Sequence, residues 1–357
     1  VSKEASEAFT KAGYKGILDI CMRVGKTKIA IDIATNLINK DLFKVLILYP
    51  ENKIGESWRQ QIKTWSDWDS NNRVHITMYN YSSIEKAMDL DWDFVIFDEI
   101  HATSAMQRIH MDTIIARNSK VLGLSGTVSE GTKEDLAGLD MHVIYRYSMD
   151  QAIEEEIIAP YQIHVHVVPL DDKIKTKNKS GKYKTEKQQY DAYSYVINKL
   201  IEEGKDVKFL FLHRNRVLQN SIAKFVKTKE LLSDLHGERV LVFAGLKKVA
   251  EKLGIAYHHS TSNNPEVFDK FVEGKINKIA VVNIGKAGIT FSNLEYLIIN
   301  SFTGNEETTE QIISRALNKE YDGKVGIIHI ICSNEEAELR KLNKTLARLN
   351  SENIVYK

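Results

Sequence analysis

The chain has 357 residues with 43% hydrophobic and 27% charged side chains, and its 49 basic and 48 acidic groups leave a formal net charge of +1. These values describe a soluble globular chain long enough for two domains and exclude a polycation, so any nucleic-acid surface has to be a local patch. Two distant cysteines, Cys21 and Cys332, exclude a disulfide framework or zinc site and fit a reducing cytoplasm. No stretch approaches a membrane span and no signal peptide is read; a trimmed start is expected from Val1.

In chain order, Ile17–Ile20 predicts a buried strand and Lys28–Leu37 a helix with Ile29, Ile33 and Leu37 on one face. Val45–Tyr49 is a second strand, ended by Pro50. Gly55–Trp65 reads as a helix whose Trp58, Ile62 and Trp65 form a buried stripe, so both tryptophans are expected in the core. Val74–Met78, Phe94–Phe97 and Val121–Leu124 are further strands. Ile163–Val168 is a strand leading into a lysine-rich segment, Lys173–Lys187. That segment reads either as a polar β-hairpin that contacts phosphates or wedges a duplex, or as a solvated loop. Helical segments follow at Gln188–Glu203 and Val217–Leu232. Then come strand Val240–Ala244, helix Lys247–Leu253, strands Ile279–Asn283, Tyr296–Asn300 and Val325–Ile331, and helix Glu335–Leu349. The alternation predicts an α/β protein of two lobes, 1–159 and 160–357, each a mainly parallel sheet flanked by helices. His164 and His166 alternate on one strand and are read as packed or exposed side chains rather than metal ligands.

Val24-Gly25-Lys26-Thr27 lies between a strand and a helix. A helix N-terminus there offers unpaired N–H groups to phosphate, Lys26 can reach the β- and γ-phosphates, and the Thr27 hydroxyl can ligand Mg²⁺. Gly25 and Lys28 complete the candidate nucleotide-binding set. Ile20 and Arg23 depart from the glycine-rich pattern. Phe94-Val95-Ile96-Phe97 ends in Asp98-Glu99, a costly pair unless a cation binds there. Asp98 would hold Mg²⁺ and Glu99 would activate the attacking water. Ser125-Gly126-Thr127 follows a third apolar strand.

Together, Gly25-Lys26-Thr27, Asp98-Glu99-Ile100-His101 and Ser125-Gly126-Thr127 resemble motifs I, II and III of superfamily 2 helicases, the last two in DEAD/DEAH-like form. Val45 to Pro50 with Ser57-Trp58 resembles motif Ia, and Ile76 to Tyr79 with Tyr81 to Ile84 resembles the next nucleic-acid-contacting segment. Ala152 to Glu155 with Ala159-Pro160-Tyr161 resembles the end of the first lobe in restriction-enzyme motor subunits. Val240 to Ala244 looks like motif IV, Ala287 to Thr290 with Ser292 to Leu294 like motif V, and Gln311 to Arg315 like the first half of motif VI. The segment Gly288 to Leu294 is most similar to phage branched-DNA helicases of the UvsW type; Snf2-like ATPases are also similar.

The resemblance implies tandem RecA-like domains with ATP and Mg²⁺ as cofactors. Gln311 and Arg315 would act from the second lobe on the γ-phosphate, and Ser125, Thr127 and His101 would couple turnover to nucleic acid. Pro50, Glu51, Asn52, Tyr79, Tyr81, Ser82, Gly288 and Thr290 would contact the strand. Asn318 stands where a second motif VI arginine is usual, and the glutamine that reads adenine in relatives has no counterpart before Gln60. The expected activity is an ATP-dependent helicase or translocase acting on DNA before RNA, in the cytoplasm or a phage host's cytoplasm. The oligomeric state is left open, with a monomer compatible with this reading, and an accessory protein partner could add specificity. The alternatives are a duplex-translocating remodelling motor and a degenerate nucleotide-binding clamp.

Overall fold

The computed structural model gathers the apolar runs into two parallel sheets. It describes residues 1–39, 42–68, 73–126, 128–177, 181, 183–259, 266–282, 294–301, 312–313, 325–347 and 349–357. The chain divides into two compact units, Val1–Ile158 and Ala159–Lys286 with Thr290–Lys357.

In the first unit, strands β1 (Lys15–Ile20), β2 (Phe43–Tyr49), β3 (Val74–Asn80), β4 (Phe94–Phe97), β5 (Val121–Ser125) and β6 (Val143–Tyr147) lie in the order β3-β2-β4-β5-β1-β6. All their pairings are parallel. Every residue of β4 and β5 is buried, the pattern of strands covered on both faces. Six helices accompany the described strands: α1 (Ser2–Lys11), α2 (Lys26–Leu37), α3 (Asn52–Trp65), α4 (Ala105–Arg117), α5 (Glu130–Ala137) and α6 (Met149–Glu154). The α3 stripe is shorter than its spacing predicts: Trp58 and Ile62 are each 1% exposed, but Trp65 is 52% exposed. Trp65 sits at the last turn, where Lys28 Nζ lies over its ring, 5.4 Å from the centroid. α4 has no sequence signature of amphipathicity because apolar residues occupy opposite faces: Met106 and Ile109 are exposed, while Met111, Ile114 and Ile115 are buried. Its start is nonetheless encoded by the Ser104–Gln107 capping box.

In the second unit, β7 (Tyr161–Val168), β10 (Val240–Phe243), β11 (Ala256–His259), β12 (Lys278–Val282), β13 (Tyr296–Ile299), β14 (Gly326–Ser333) and β15 (Ile354–Tyr356) form a sheet ordered β11-β12-β10-β13-β14-β7-β15. Its pairings are also parallel. The lysine-rich segment contains a short antiparallel pair, β8 (Thr176–Lys177) with β9 (Tyr183–Lys184). The helices are α7 (Glu186–Glu202), α8 (Lys208–Gln219), α9 (Ile222–Asp234), α10 (Lys247–Lys252), α11 (Glu266–Val272) and α12 (Glu336–Leu346). The single helix expected over Val217–Leu232 is instead the end of α8 and most of α9. The break falls at Asn220–Ser221, where the Ser221 hydroxyl accepts the Lys224 N–H as an N-cap. Glu186 reinforces this corner by accepting the Ile222 N–H at 2.6 Å and the Ser221 hydroxyl at 3.3 Å. Behind it, buried Lys224 pairs with buried Glu338, which also accepts the Ser333 N–H at 2.8 Å.

Candidate functional site

The carboxyl ends of β1, β4 and β5, adjacent in the first sheet in the order β4-β5-β1, bring three sequence motifs together. β1 runs into the loop ending at Gly25, the N-cap of α2, which has φ 87° and no side-chain cap. The first helical N–H groups therefore remain available for an anion. Arg23, at the position where the glycine-rich pattern has Gly, has φ 72°. The loop thus keeps a left-handed turn that favours glycine, with an arginine bearing its strain.

β4 ends at Asp98, which is 6% exposed, and Glu99 follows in a left-handed conformation at φ 48°. Lys26 Nζ lies 3.8 Å from Glu99 Oε1, and His101 Nδ1 lies 3.4 Å from Glu99 Oε2. His101 Nδ1 also shares a 2.8 Å hydrogen bond with Ser125 Oγ at the end of β5. A Cβ at Gly126 would stand 3.0 Å from Lys26 Nζ, so this glycine leaves room for the lysine.

Among the described residues, Asp98 accepts three hydrogen bonds. Its Oδ2 accepts the indole N–H of Trp58 at 2.8 Å, its Oδ1 accepts the Glu99 N–H at 3.0 Å, and its carbonyl accepts the Tyr81 hydroxyl at 2.8 Å. Burial first, then the neighbouring Glu99 charge, pushes the Asp98 carboxyl up to about 6 against the opposing pull of Trp58 and Lys26. The Tyr81 hydroxyl is likewise pushed up by burial and by the two carboxylates.

Paired carboxylates answered by one lysine suit a divalent cation. Among the described residues no group of three His, Cys, Asp or Glu side chains could hold a metal ion. That donor set fits Mg²⁺ completed by phosphate oxygens and water rather than a resident metal caged by protein. Thr27 stands half-buried in the first turn of α2 and Lys28 pairs with Asp32 at 2.8 Å.

The expected strand-contacting segments lie at the carboxyl ends of β2 and β3. Pro50 and Glu51 connect β2 to α3, which opens at Asn52, and Tyr79 is the half-buried next-to-last residue of β3. Tyr81 does not stand at a surface: its ring is 2% exposed. A phenol packed beside two carboxylates is spent inside the domain, and Asn80 and Ser82 are the accessible polar groups beside it. Thr127, Gly288, Thr290, Gln311 and Arg315 lie outside the described residues, as do Asn318 and Lys319. Sequence reasoning missed the bond from Trp58 to Asp98. A buried indole N–H needs an acceptor, and a buried carboxylate needs donors; those two demands were the available signal.

Residues 1–130 match the family model described as type III restriction enzyme, res subunit, and residues 223–319 match the helicase conserved C-terminal domain. The DNA 3'-5' translocase XPB2 of Sulfurisphaera tokodaii is 24% identical over 361 residues, spanning 92% of this chain and 80% of that protein. The putative DNA 3'-5' helicase Rad25 of Halobacterium salinarum is 20% identical over 292 residues, 73% of this chain and 43% of that protein. Two solved structures share the fold at 14% identity. The Pyrococcus furiosus Hef helicase domain has a TM-score of 0.57 and coverage of 96% of this chain and 97% of that one. The ATP-dependent type ISP restriction-modification enzyme LlaBIII bound to DNA has a TM-score of 0.64 and coverage of 99% and 30%. The two family matches and the tandem parallel-sheet fold, which is that of two RecA-like domains, support a superfamily 2 helicase or translocase. No helix among the described residues is long and apolar enough to cross a membrane.

Proposed function

We infer that the protein is a nucleic-acid-dependent ATPase that moves along or unwinds DNA. The observation that carries this reading is the convergence of Lys26, Asp98, Glu99, His101 and Ser125 at the carboxyl ends of three adjacent strands. Lys26 and the open N-terminus of α2 bind and orient the ATP phosphates. Thr27 and Asp98 are the residues that would hold Mg²⁺, which when bound neutralises charge on the phosphate oxygens. Glu99 accepts the proton of the attacking water, with Lys26 and His101 fixing its carboxylate. The His101–Ser125 bond links that carboxylate to the end of β5 and so to the Ser125-Gly126-Thr127 segment. On the motif VI likeness, Arg315 would supply charge that favours the transition state, and Gln311 would assist it.

DNA as substrate is supported by the relatives' printed activities, and the sequence likeness at Gly288 to Leu294 points to branched or forked DNA. A forked duplex and a third-strand displacement substrate separate the possible outputs. Loss of the forked strand with ATP marks an unwinding motor; third-strand displacement without unwinding marks a duplex translocase. Neither activity, at saturating DNA and ATP, refutes the motor assignment.

A further inference from the structure

Asp98 is bonded by two elements besides its own strand, and both begin at the expected strand-contacting edge. Trp58 lies on α3, which starts at Asn52 directly after Pro50 and Glu51; its indole N–H reaches Asp98 Oδ2 at 2.8 Å. Tyr81 opens the 3-10 segment Tyr81–Ala87 that follows β3, and its hydroxyl reaches the Asp98 carbonyl at 2.8 Å. Both side chains are sealed from solvent, at 1% and 2% exposure. Above them the two segments are tied together. Asn80 Nδ2 donates to the Pro50 carbonyl at 2.9 Å and reaches Asn52 Oδ1 at 3.5 Å, while Asn80 Oδ1 accepts the Ser82 N–H at 2.9 Å. α3 is also locked to the end of β2, because a Cβ on Gly55 would come within 2.4 Å of the Tyr49 ring. The Pro50–Asn52 and Asn80–Ser82 turns are thus joined to one carboxylate through close-packed, hydrogen-bonded side chains.

We propose that Trp58 and Tyr81 are positioning residues that couple nucleic-acid contact at Pro50–Asn52 and Asn80–Ser82 to the orientation of the Asp98 carboxylate toward Mg²⁺-bound nucleotide. The inference rests on the proposed function and adds the route by which DNA reaches the nucleotide site. Trp58 holds one carboxylate oxygen and the Glu99 N–H holds the other, so a shift of α3 turns the carboxylate plane. Tyr81 holds the backbone of the same residue, so a shift of the β3 turn moves its pivot.

The test uses the full chain, a fluorescent non-hydrolysable ATP analogue with and without Mg²⁺, and a saturating single-stranded oligonucleotide. In the parent, DNA changes the Mg²⁺-dependent part of analogue affinity about tenfold. It also shifts the Trp58 indole ¹⁵N–H resonance, which is assigned by its loss in Trp58→Phe. In Trp58→Phe and Tyr81→Phe the DNA-linked change falls to about twofold or less, while DNA affinity and Mg²⁺-free analogue affinity remain within about twofold of the parent. Should Trp58→Phe fail to fold, Tyr81→Phe, which loses one oxygen atom, decides alone, the indole then being assigned by Trp58→Tyr or by triple-resonance methods. Full retention of the DNA-linked change in the folded variants, or an unmoved indole resonance in DNA-saturated parent, overturns the coupling and leaves both residues as core. A parent whose analogue binding ignores DNA refutes the coupling as well. If that parent also fails to bind DNA or analogue, the proposed function falls with it.

Discussion

Asp98 and Glu99 are adjacent in sequence but meet different surroundings. Asp98 is wrapped by Trp58, Tyr81 and a backbone N–H, whereas Glu99 faces Lys26 and His101. Replacing Glu99 with Gln preserves shape and removes the proton acceptor. Nucleotide binding should persist while single-turnover hydrolysis falls by about 10²-fold or more; lost binding with normal chemistry per bound ATP would make Glu99 structural. Asp98 carries a stability signature as well. Its raised carboxyl means that the ionised form is disfavoured in the fold, so its favourable contribution is present below the unfolded value near 3.8 and is lost as pH rises through about 6. Asp98→Asn should therefore melt above the parent at pH 8, and the gap should close toward pH 4. A variant that melts lower at pH 8 would show that the two accepted hydrogen bonds outweigh the buried charge. Lys26, Asp98, Glu99 and Ser125 could be expected together because each follows an apolar strand, and the structure sets them at the carboxyl ends of adjacent strands. Helical spacing does not report which turn ends at the surface, so Trp65 is exposed where a buried stripe is expected, and motif likeness does not report that the Tyr81 ring lies buried beneath the turn.

At the level of elements, strands were the most legible, since burial on both faces writes continuous apolar runs such as Phe94–Phe97 and Val240–Phe243. Helices with apolar residues on opposite faces, such as α4, were not, and the α8–α9 junction hid a cap inside one apparent period. Strand pairing hid more. β7 and β14 lie far apart in sequence, yet their register sets His329 opposite His164, and His166 Nε2 lies 2.9 Å from His329 Nδ1. Burial first, then Lys227 and His164, lowers His166 to about 4, and burial first, then His166 and His164, lowers His329 to about 3. Both are neutral in the fold at pH 7. As pH falls below the unfolded value near 6.5, the unfolded chain takes up protons that the fold refuses, so stability declines from there toward pH 4. Each histidine contributes a slope of at most about 1.4 kcal/mol per pH unit. Denaturant titrations from pH 7 to 4.5 should show this slope, flattened by about one proton in His329→Phe. A slope unchanged by that substitution would place the linkage elsewhere.

For the whole molecule, composition and alternation sufficed for two parallel-sheet units, and the order of motifs sufficed for their class. Substrate geometry was not legible, because strand-contacting groups lie on turns whose accessibility only folding decides. Arg315 tests the contribution of the second unit. A guanidinium acting on spreading phosphoryl charge stabilises the transition state more than bound ATP. Arg315→Ala should cost about 10³-fold in turnover with little loss of ATP affinity, whereas Lys319→Ala should be mild. The reverse pattern would move the finger to Lys319.

The proposed ATPase site of Lys26, Asp98 and Glu99, governed by nucleic acid, is tested by steady-state phosphate release from the parent and Lys26→Ala, with and without single-stranded, duplex and forked DNA and RNA at fixed salt. Release should rise severalfold with at least one nucleic acid in the parent and be abolished in a Lys26→Ala protein of unchanged melting temperature. Release unchanged by every nucleic acid, or Lys26→Ala turnover within about twofold of the parent, a barrier change under about 0.5 kcal/mol, would contradict it.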